Sequence, residues 1–386
     1  MTDTHKQDAP PPAVPMFSGQ PMYDYFCRMA ELGPSVSMAP SSTPLDWHDG
    51  ASMTLPDSYE FAGGSRQVEE FLIDTDTAAL LVLQDGKLRF ERYAHTGGRD
   101  VPWISMSAAK SFVSALVGIA AAQGMIGDLD EPISRYIDVK PGSAYDGVAI
   151  RDVLQMSSGA RWDEDYSNPE SDIFRLSAAF FGVGTFDDFI ATAVRESAPG
   201  SVCRYNSADT QALATLLVRA TGRSLADYMQ AELIEPLGMT APSHWLVDGA
   251  GREAAYFGLN MTARDFAKLG ELYRCGGAWQ GQQLVPASFV ADSVAVSAAH
   301  TSPGRVWVSD HEWDLGYGYQ WWLPEVDSGE FSAIGIYNQL VYVHRPSRAV
   351  IVKLSANRSY GLSTEEATNR DLENVVCLRS IARSLG

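Results

Sequence analysis

Cysteine is scarce in this chain. Its 386 residues include only Cys27, Cys203, Cys275 and Cys377, widely spaced and in no C-x-x-C pair. That excludes a disulfide scaffold and leads us to expect free, buried thiols in a cytoplasmic protein. Positive charge is also short: 29 Lys and Arg stand against 48 Asp and Glu, for a net charge of -19. So negative a surface repels phosphate backbones and anionic lipid, so neither nucleic acid nor membrane is expected as a partner. No run approaches the ~18 apolar residues that cross a bilayer. The stretch from Met1 to Pro21 is polar and Pro-rich, without the apolar core of a secretory signal. The seven histidines show no ligand spacing, and no metal is expected. No Gly-x-Ser-x-Gly occurs, which argues against an α/β-hydrolase elbow. Gly249-Ala250-Gly251 has no strand–turn–helix context, so no dinucleotide or other organic cofactor is expected.

What is present fits an ordinary globular protein. Hydrophobic residues make up 45% of the chain, enough for two domains or one large composite unit. Residues 1–20, broken by Pro10 to Pro12 and Pro15, read as a flexible arm. Leu80 to Leu83 and the alternating Lys87 to Tyr93 read as a hairpin about Asp85-Gly86. A helix is expected from Ser105–Ser107 to Gly124, with Phe112, Val113, Leu116, Val117 and Ala120 on its apolar face. Ser207–Thr221, Ser224–Ile234 and Thr262–Arg274 read as further helices. Gly316–Leu323, Ala333–His344 and Ala349–Ser355 are strand-like, and Ser363 with Glu366 suggests a capping box opening a last helix that runs to Leu385. The expected fold class is therefore α/β (α+β). An antiparallel sheet flanked by helices is expected from 21–130 and 265–386, with a mainly helical domain, 131–264, inserted.

The chemistry centres on Ser107-Ala108-Ala109-Lys110 at a helix start. Residues i and i+3 share a helical face, so the amine can reach the hydroxyl and, if its pKa is depressed by burial and neighbouring cations, take its proton. The helix N-terminus adds backbone donors where an oxyanion would form. Among six lysines, only Lys110 has a serine three residues before it. The acidic run Asp163-Glu164-Asp165 reads first as a solvated face, although it adjoins Tyr166 and could attract cationic substrates.

Wider context extends that tetrapeptide. Gly124 is followed by Leu129-Asp130-Glu131-Pro132 and Tyr136, then Ile150-Arg151-Asp152-Val153-Leu154 with Ser158-Gly159. Pro199-Gly200 precedes Tyr205-Asn206-Ser207, and Pro236-Leu237-Gly238-Met239 follows. In this order, from about residue 78 to 356, the chain resembles the class C β-lactamase-like superfamily of penicillin-recognising serine hydrolases. That resemblance implies a β-lactamase/transpeptidase-like fold, with Ser107 as nucleophile, Lys110 as base and Tyr205 as proton relay. The family's Lys-Thr-Gly strand appears as Ala333-Ile334-Gly335-Ile336, and the resemblance implies an oxyanion hole made by the Ser107 and Ile336 amides. The cation and hydroxyl that hold a substrate carboxylate are missing from it, and Ser207 replaces a usual Asn. A β-lactam or D-Ala-D-Ala carboxylate would lie unpaired there.

The likeness sharpens toward 6-aminohexanoate-dimer hydrolases and family VIII carboxylesterases at Trp162 to Tyr166, Gln320-Trp321-Trp322 and Gly335 to Gln339. It implies substrate contacts from Tyr166, Ser207, Gly335, Tyr337 and Trp322. Two departures stand out: Tyr337 replaces a His, and Ser177 replaces an Asp that helps to bind the substrate ammonium. The expectation is an esterase with linear amides such as 6-aminohexanoate oligomers as further substrates, acting on a small molecule and open to homodimerisation. A β-lactamase or DD-peptidase, and a silent binding protein on the same fold, are the alternatives.

Overall fold

The computed structural model describes residues 14–386. Its centre is an eight-stranded sheet of β1 (His48–Asp49), β2 (Thr77–Gln84), β3 (Lys87–Tyr93), β4 (Gly316–Tyr317), β5 (Trp322–Glu325), β6 (Glu330–Gly335), β7 (Gln339–His344) and β8 (Ala349–Ser355). The order across it is β4-β5-β6-β7-β8-β2-β3-β1, so the N-terminal hairpin joins the C-terminal strands as expected. Neighbours are antiparallel except β1, which lies parallel to β3.

The middle strands are apolar on both sides because both faces are covered. Alternate residues point oppositely along a strand. Val341, Val343, Val350 and Val352 face a core shared with Phe266, Leu269 and Leu272 of α3 (Ala263–Arg274). Leu80, Val82, Tyr342 and Ile351 face a second core with Val375, Leu378 and Ile381 of α4 (Asp371–Arg383). Between the sheet and the helical region runs α1 (Ala109–Ala122), buried from Ala109 through Ala120, which packs against α2 (Ser207–Thr221).

Two local expectations change. The strand expected over 333–344 is a hairpin, because Tyr337 (φ 62°) and Asn338 (φ 65°) both take left-handed backbone and reverse the chain between β6 and β7. Ser363 caps no helix; its hydroxyl bonds Thr368 and Glu365 N, and the final helix is broken at Arg370 (φ 57°). The Glu366 carboxylate instead accepts from Leu372 N (3.1 Å) and Glu373 N (2.8 Å), capping α4. A separate four-stranded sheet runs in the order Ser35–Met38, Ser243–Leu246, Leu259–Met261 and Trp103–Ile104.

The expected arm, 1–20, falls partly outside the described residues. From residue 14 onward, Val14, Met16 and Phe17 pack on the main core. Among the thiols, Cys203 and Cys377 are buried, but Cys275 is exposed and Cys27 only half-buried. Among the described residues, no helix is long and apolar enough to cross a membrane.

Candidate active site

Ser107 lies in one 3-10 turn, Met106–Ala108, that leads into α1. The turn is anchored by Ser105, whose N–H donates to Leu259 O (2.7 Å) and whose hydroxyl donates to Phe257 O (3.0 Å). Met106 has φ 45°, a left-handed conformation that costs a non-glycine residue about 1–3 kcal/mol and recurs where a side chain must be aimed. β6 closes against this turn. A Cβ on Gly335 would lie 2.7 Å from Ser105 O and 2.8 Å from Ser107 N, so only glycine lets the strand end reach the Ser107 amide.

One helical turn beyond the serine, Lys110 Nζ is 2.8 Å from Ser107 Oγ and 2.8 Å from the Tyr256 carbonyl oxygen. The side chain is 1% exposed. Burial brings the ammonium down to about 7, while the Glu164 carboxylate opposes that shift. Burial alone therefore does what we expected of burial and neighbouring cations together. A neutral Lys110 donates to Tyr256 O and offers its lone pair to the Ser107 hydroxyl.

Tyr205 arrives from the opposite side. The short strand Cys203–Arg204 runs parallel to Val306–Val308, and Tyr205 N donates to Trp307 O (2.7 Å). The next residue, Asn206, caps α2 by accepting from Ala208 N (2.8 Å). The Tyr205 ring stacks on Trp322 at 5.2 Å, and Lys110 Nζ lies 5.0 Å from its centroid. Burial and the Glu164 charge raise the phenol well above its ordinary value, and the Ser107 hydroxyl pulls it back. It therefore stays protonated at neutral pH and can donate.

Glu164 is the surprise of the site. Expected on a solvated face, it is 2% exposed. Oε1 accepts from the hydroxyls of Tyr166 (2.8 Å) and Ser207 (2.7 Å), while Oε2 accepts from Trp162 Nε1 and from Ser207 N (3.3 Å). Four donors hold a buried charge that would otherwise be costly. The signal in the sequence was closeness: Trp162 and Tyr166, both donors to Glu164, each lie two residues from it.

Ser107, Glu164, Tyr166, Tyr205, Trp322, Ile334, Gly335 and Ile336 line a narrow cavity of about 50 Å³, with Val308, Trp313, Tyr360 and Asp371 completing its wall. Of the residues expected at a substrate, Tyr166, Gly335 and Trp322 are there. Ser207 and Tyr337 are not in that lining. Ser207 is a prop beneath Glu164, and Tyr337, 1% exposed, stacks on Tyr360 and Phe17 behind the wall. Ser177 instead hydrogen-bonds the Tyr256 hydroxyl at 3.0 Å. Sequence reading missed Tyr360, in a turn after β8, and Asp371, the first residue of α4. The Asp371 carboxyl accepts from Tyr360 OH (3.0 Å) and Asn338 Nδ2 (3.3 Å), and burial with the nearby Glu366 charge holds it well above the usual carboxylate range.

Several known proteins are similar to this chain in sequence or fold. A 6-aminohexanoate-dimer hydrolase from Paenarthrobacter ureafaciens is 28% identical over 344 residues, covering 86% of this chain and 84% of that protein. Among solved structures, a Bacillus anthracis protein provisionally assigned as a 6-aminohexanoate-dimer hydrolase superposes with a TM-score of 0.83 at 23% identity, covering 100% of this chain and 99% of that one. EstCE1, a hydrolase with promiscuous acyltransferase activity, superposes with a TM-score of 0.60 at 16% identity, covering 80% and 96%. The sequence profile of the beta-lactamase family matches residues 66–375, more than half of the chain, and the protein belongs to that family of hydrolases.

Proposed function

We propose that the protein hydrolyses carboxylic esters, and linear amides such as 6-aminohexanoate oligomers, through an acyl-enzyme on Ser107. Neutral Lys110 removes the hydroxyl proton as Ser107 Oγ attacks the carbonyl carbon. The carbonyl oxygen takes negative charge, held by the Ser107 and Ile336 amides. Collapse of this adduct breaks the bond to the leaving group, which receives a proton through Tyr205. Water then attacks the acyl-serine, Lys110 and Tyr205 accept and return its proton, and the free acid departs.

The observation that carries this reading is the 2.8 Å contact between Ser107 Oγ and a fully buried Lys110 whose ammonium is brought down to about 7. The cavity wall supports the choice of substrate. Aromatic and aliphatic side chains make up most of it, its ionisable groups besides tyrosine are Glu164 and Asp371, and no Arg or Lys is among its lining residues. An anionic ligand would find no cation partner on that wall, which disfavours β-lactams and peptides ending in a carboxylate. The name of the Paenarthrobacter relative supports the linear amide.

The test is covalent. A fluorophosphonate is expected to label the native protein on Ser107, and Ser107→Ala to lose both labelling and turnover of a short-chain nitrophenyl ester. Labelling that persists in Ser107→Ala would overturn the assignment, as would cephalosporin turnover matching the ester.

A further inference from the structure

The N-terminal segment packs onto the site's outer wall. After a turn closed by Met16 N–Val14 O (2.9 Å), Phe17 takes φ 57° and donates its N–H to the Tyr337 hydroxyl at 2.6 Å. Its ring stacks on Tyr337 (centroids 5.6 Å), leans on Tyr166 (5.1 Å) and meets Phe174 edge-on (6.5 Å). From beneath, Gly361 supports it closely: a Cβ there would fall 2.3 Å from the Phe17 ring. On the other side of Tyr337, Phe26 of the same segment packs edge-on at 5.1 Å. The segment is tied down further along, where Thr96 Oγ1 hydrogen-bonds Tyr23 O and the Tyr23 ring stacks on His95 at 4.5 Å.

Phe17 does not line the cavity, but Tyr166 does. On its inner side Tyr166 is fixed by one hydrogen bond to Glu164. On its outer side an aromatic ring from the N-terminus presses on it. A left-handed non-glycine residue is strained, so the segment holds this path at a cost that its contacts offset. An aromatic pair of this kind contributes about 0.5–1.5 kcal/mol beyond the apolar area it buries, enough to shift where a loop tyrosine rests.

We propose that Phe17 is a positioning residue: it clamps Tyr166 over the Ser107 cavity and so sets the affinity for the substrate. The proposal rests on the hydrolase reading given above. Loss of the ring frees Tyr166 to leave the wall, which weakens substrate binding without removing any group that moves a proton. The expected result is therefore a split: KM changes and the chemical step does not.

The experiment compares Phe17→Ala, Phe17→Leu, Phe17→Tyr, Tyr166→Ala and the Phe17→Ala/Tyr166→Ala double variant of the full chain. KM and kcat are measured on a short-chain nitrophenyl ester, and Ser107 labelling by a fluorophosphonate is measured in parallel. Phe17→Ala is expected to raise KM about five- to tenfold with kcat within twofold, and Phe17→Tyr to restore the native KM. In the Tyr166→Ala background, removal of Phe17 is expected to change KM less than twofold, because coupled residues are non-additive. Should Phe17→Ala not fold, Phe17→Leu, which keeps bulk and loses the ring, is read in its place, alone and with Tyr166→Ala. An unchanged KM overturns the clamp, as do effects of the two positions that simply multiply. A native protein that is not labelled on Ser107 refutes the hydrolase reading itself, which keeps the two failures apart.

Discussion

The acylation rate is expected to rise with pH and then level off near neutrality. Lys110 carries the argument. Burial lowers its ammonium from 10.5 to about 7, which corresponds to about 5 kcal/mol of preference for the neutral amine at about 1.4 kcal/mol per unit. With a value near 7, about a tenth of the amine is neutral at pH 6 and about nine-tenths at pH 8, so the rate should climb roughly tenfold and then flatten. A lysine at its ordinary value would give unit slope through pH 9 with no plateau. The second-order rate of fluorophosphonate labelling is the assay, because it reads proton removal from Ser107 without product release. The phenols that face Lys110, Tyr205 and Tyr256, are both pushed up by burial and do not titrate in this window. Lys110→Met should lower the rate by about two to four powers of ten and abolish the limb. Glu164→Gln removes the charge that opposes the shift, so the limb should move to lower pH. Stability follows the same sign. The folded value is depressed, so the penalty for burying the charged amine is full below about 7 and is relieved as pH rises toward 10.5. A labelling rate that keeps climbing past pH 9, or a limb that survives in Lys110→Met, would refute the reasoning.

Two further outcomes are expected. Gly335→Ala places a methyl group 2.8 Å from Ser107 N and 2.7 Å from Ser105 O; displacement of the strand end should cost about 10²–10³ in kcat, with a small loss of thermal stability measured by calorimetry. Asp209 is fully buried, with Oδ1 accepting from Tyr145 (2.9 Å), Ser158 (2.7 Å) and Asn206 (3.1 Å) while Oδ2 has no partner. Burial raises this carboxyl to about 7, so the fold keeps a proton that the unfolded chain releases, and its contribution to stability falls as pH rises from about 3.8 to about 7. Asn does not titrate. Asp209→Asn should therefore gain about 1–3 kcal/mol relative to the native protein in urea unfolding at pH 8 compared with pH 5, and an equal change at both would refute the assignment.

What could be read from the sequence was what is local. Ser107 and Lys110 are three residues apart across a 3-10 turn and the start of α1, so their spacing fixes much of their mutual geometry, and Tyr205 directly precedes a helix cap. The hairpin at Asp85-Gly86 was legible for the same reason, since both residues accept left-handed backbone. The turn at Tyr337-Asn338 was not, because no glycine marks it and distant partners hold it in place: Phe17, Phe26 and Tyr360 pack on Tyr337, while Asn338 hydrogen-bonds Asn357, Asn369 and Asp371. Glu366 caps a helix across an interruption at Arg370, which no short capping pattern anticipates. Asp371 and Tyr360 reach the cavity from more than 250 residues beyond Ser107, and Phe17 supports it from 90 residues before, so pairwise spacing says nothing about any of them.

The same contrast explains how a carboxylate and a catalytic-type amine share one dry site. The Glu164 charge opposes the lowering of Lys110, and burial outweighs it. The four donors from Trp162, Tyr166 and Ser207 hold the carboxylate in a fixed place, and Lys110 makes its own two hydrogen bonds elsewhere, to Ser107 and to the Tyr256 carbonyl. The residual field of Glu164 keeps the amine from falling further, and so leaves it poised near 7 rather than inert. Ser207 takes on a meaning that its place in the motif did not suggest: its hydroxyl and its amide both serve the carboxylate instead of the substrate. In the proposed reaction, a carboxylate in the cavity wall with no Lys or Arg among the lining residues is expected to favour neutral and cationic acyl compounds. Glu164 both opposes the shift of Lys110 and lines the cavity, so Glu164→Gln is expected to move the labelling limb and the preference among substrate charges together.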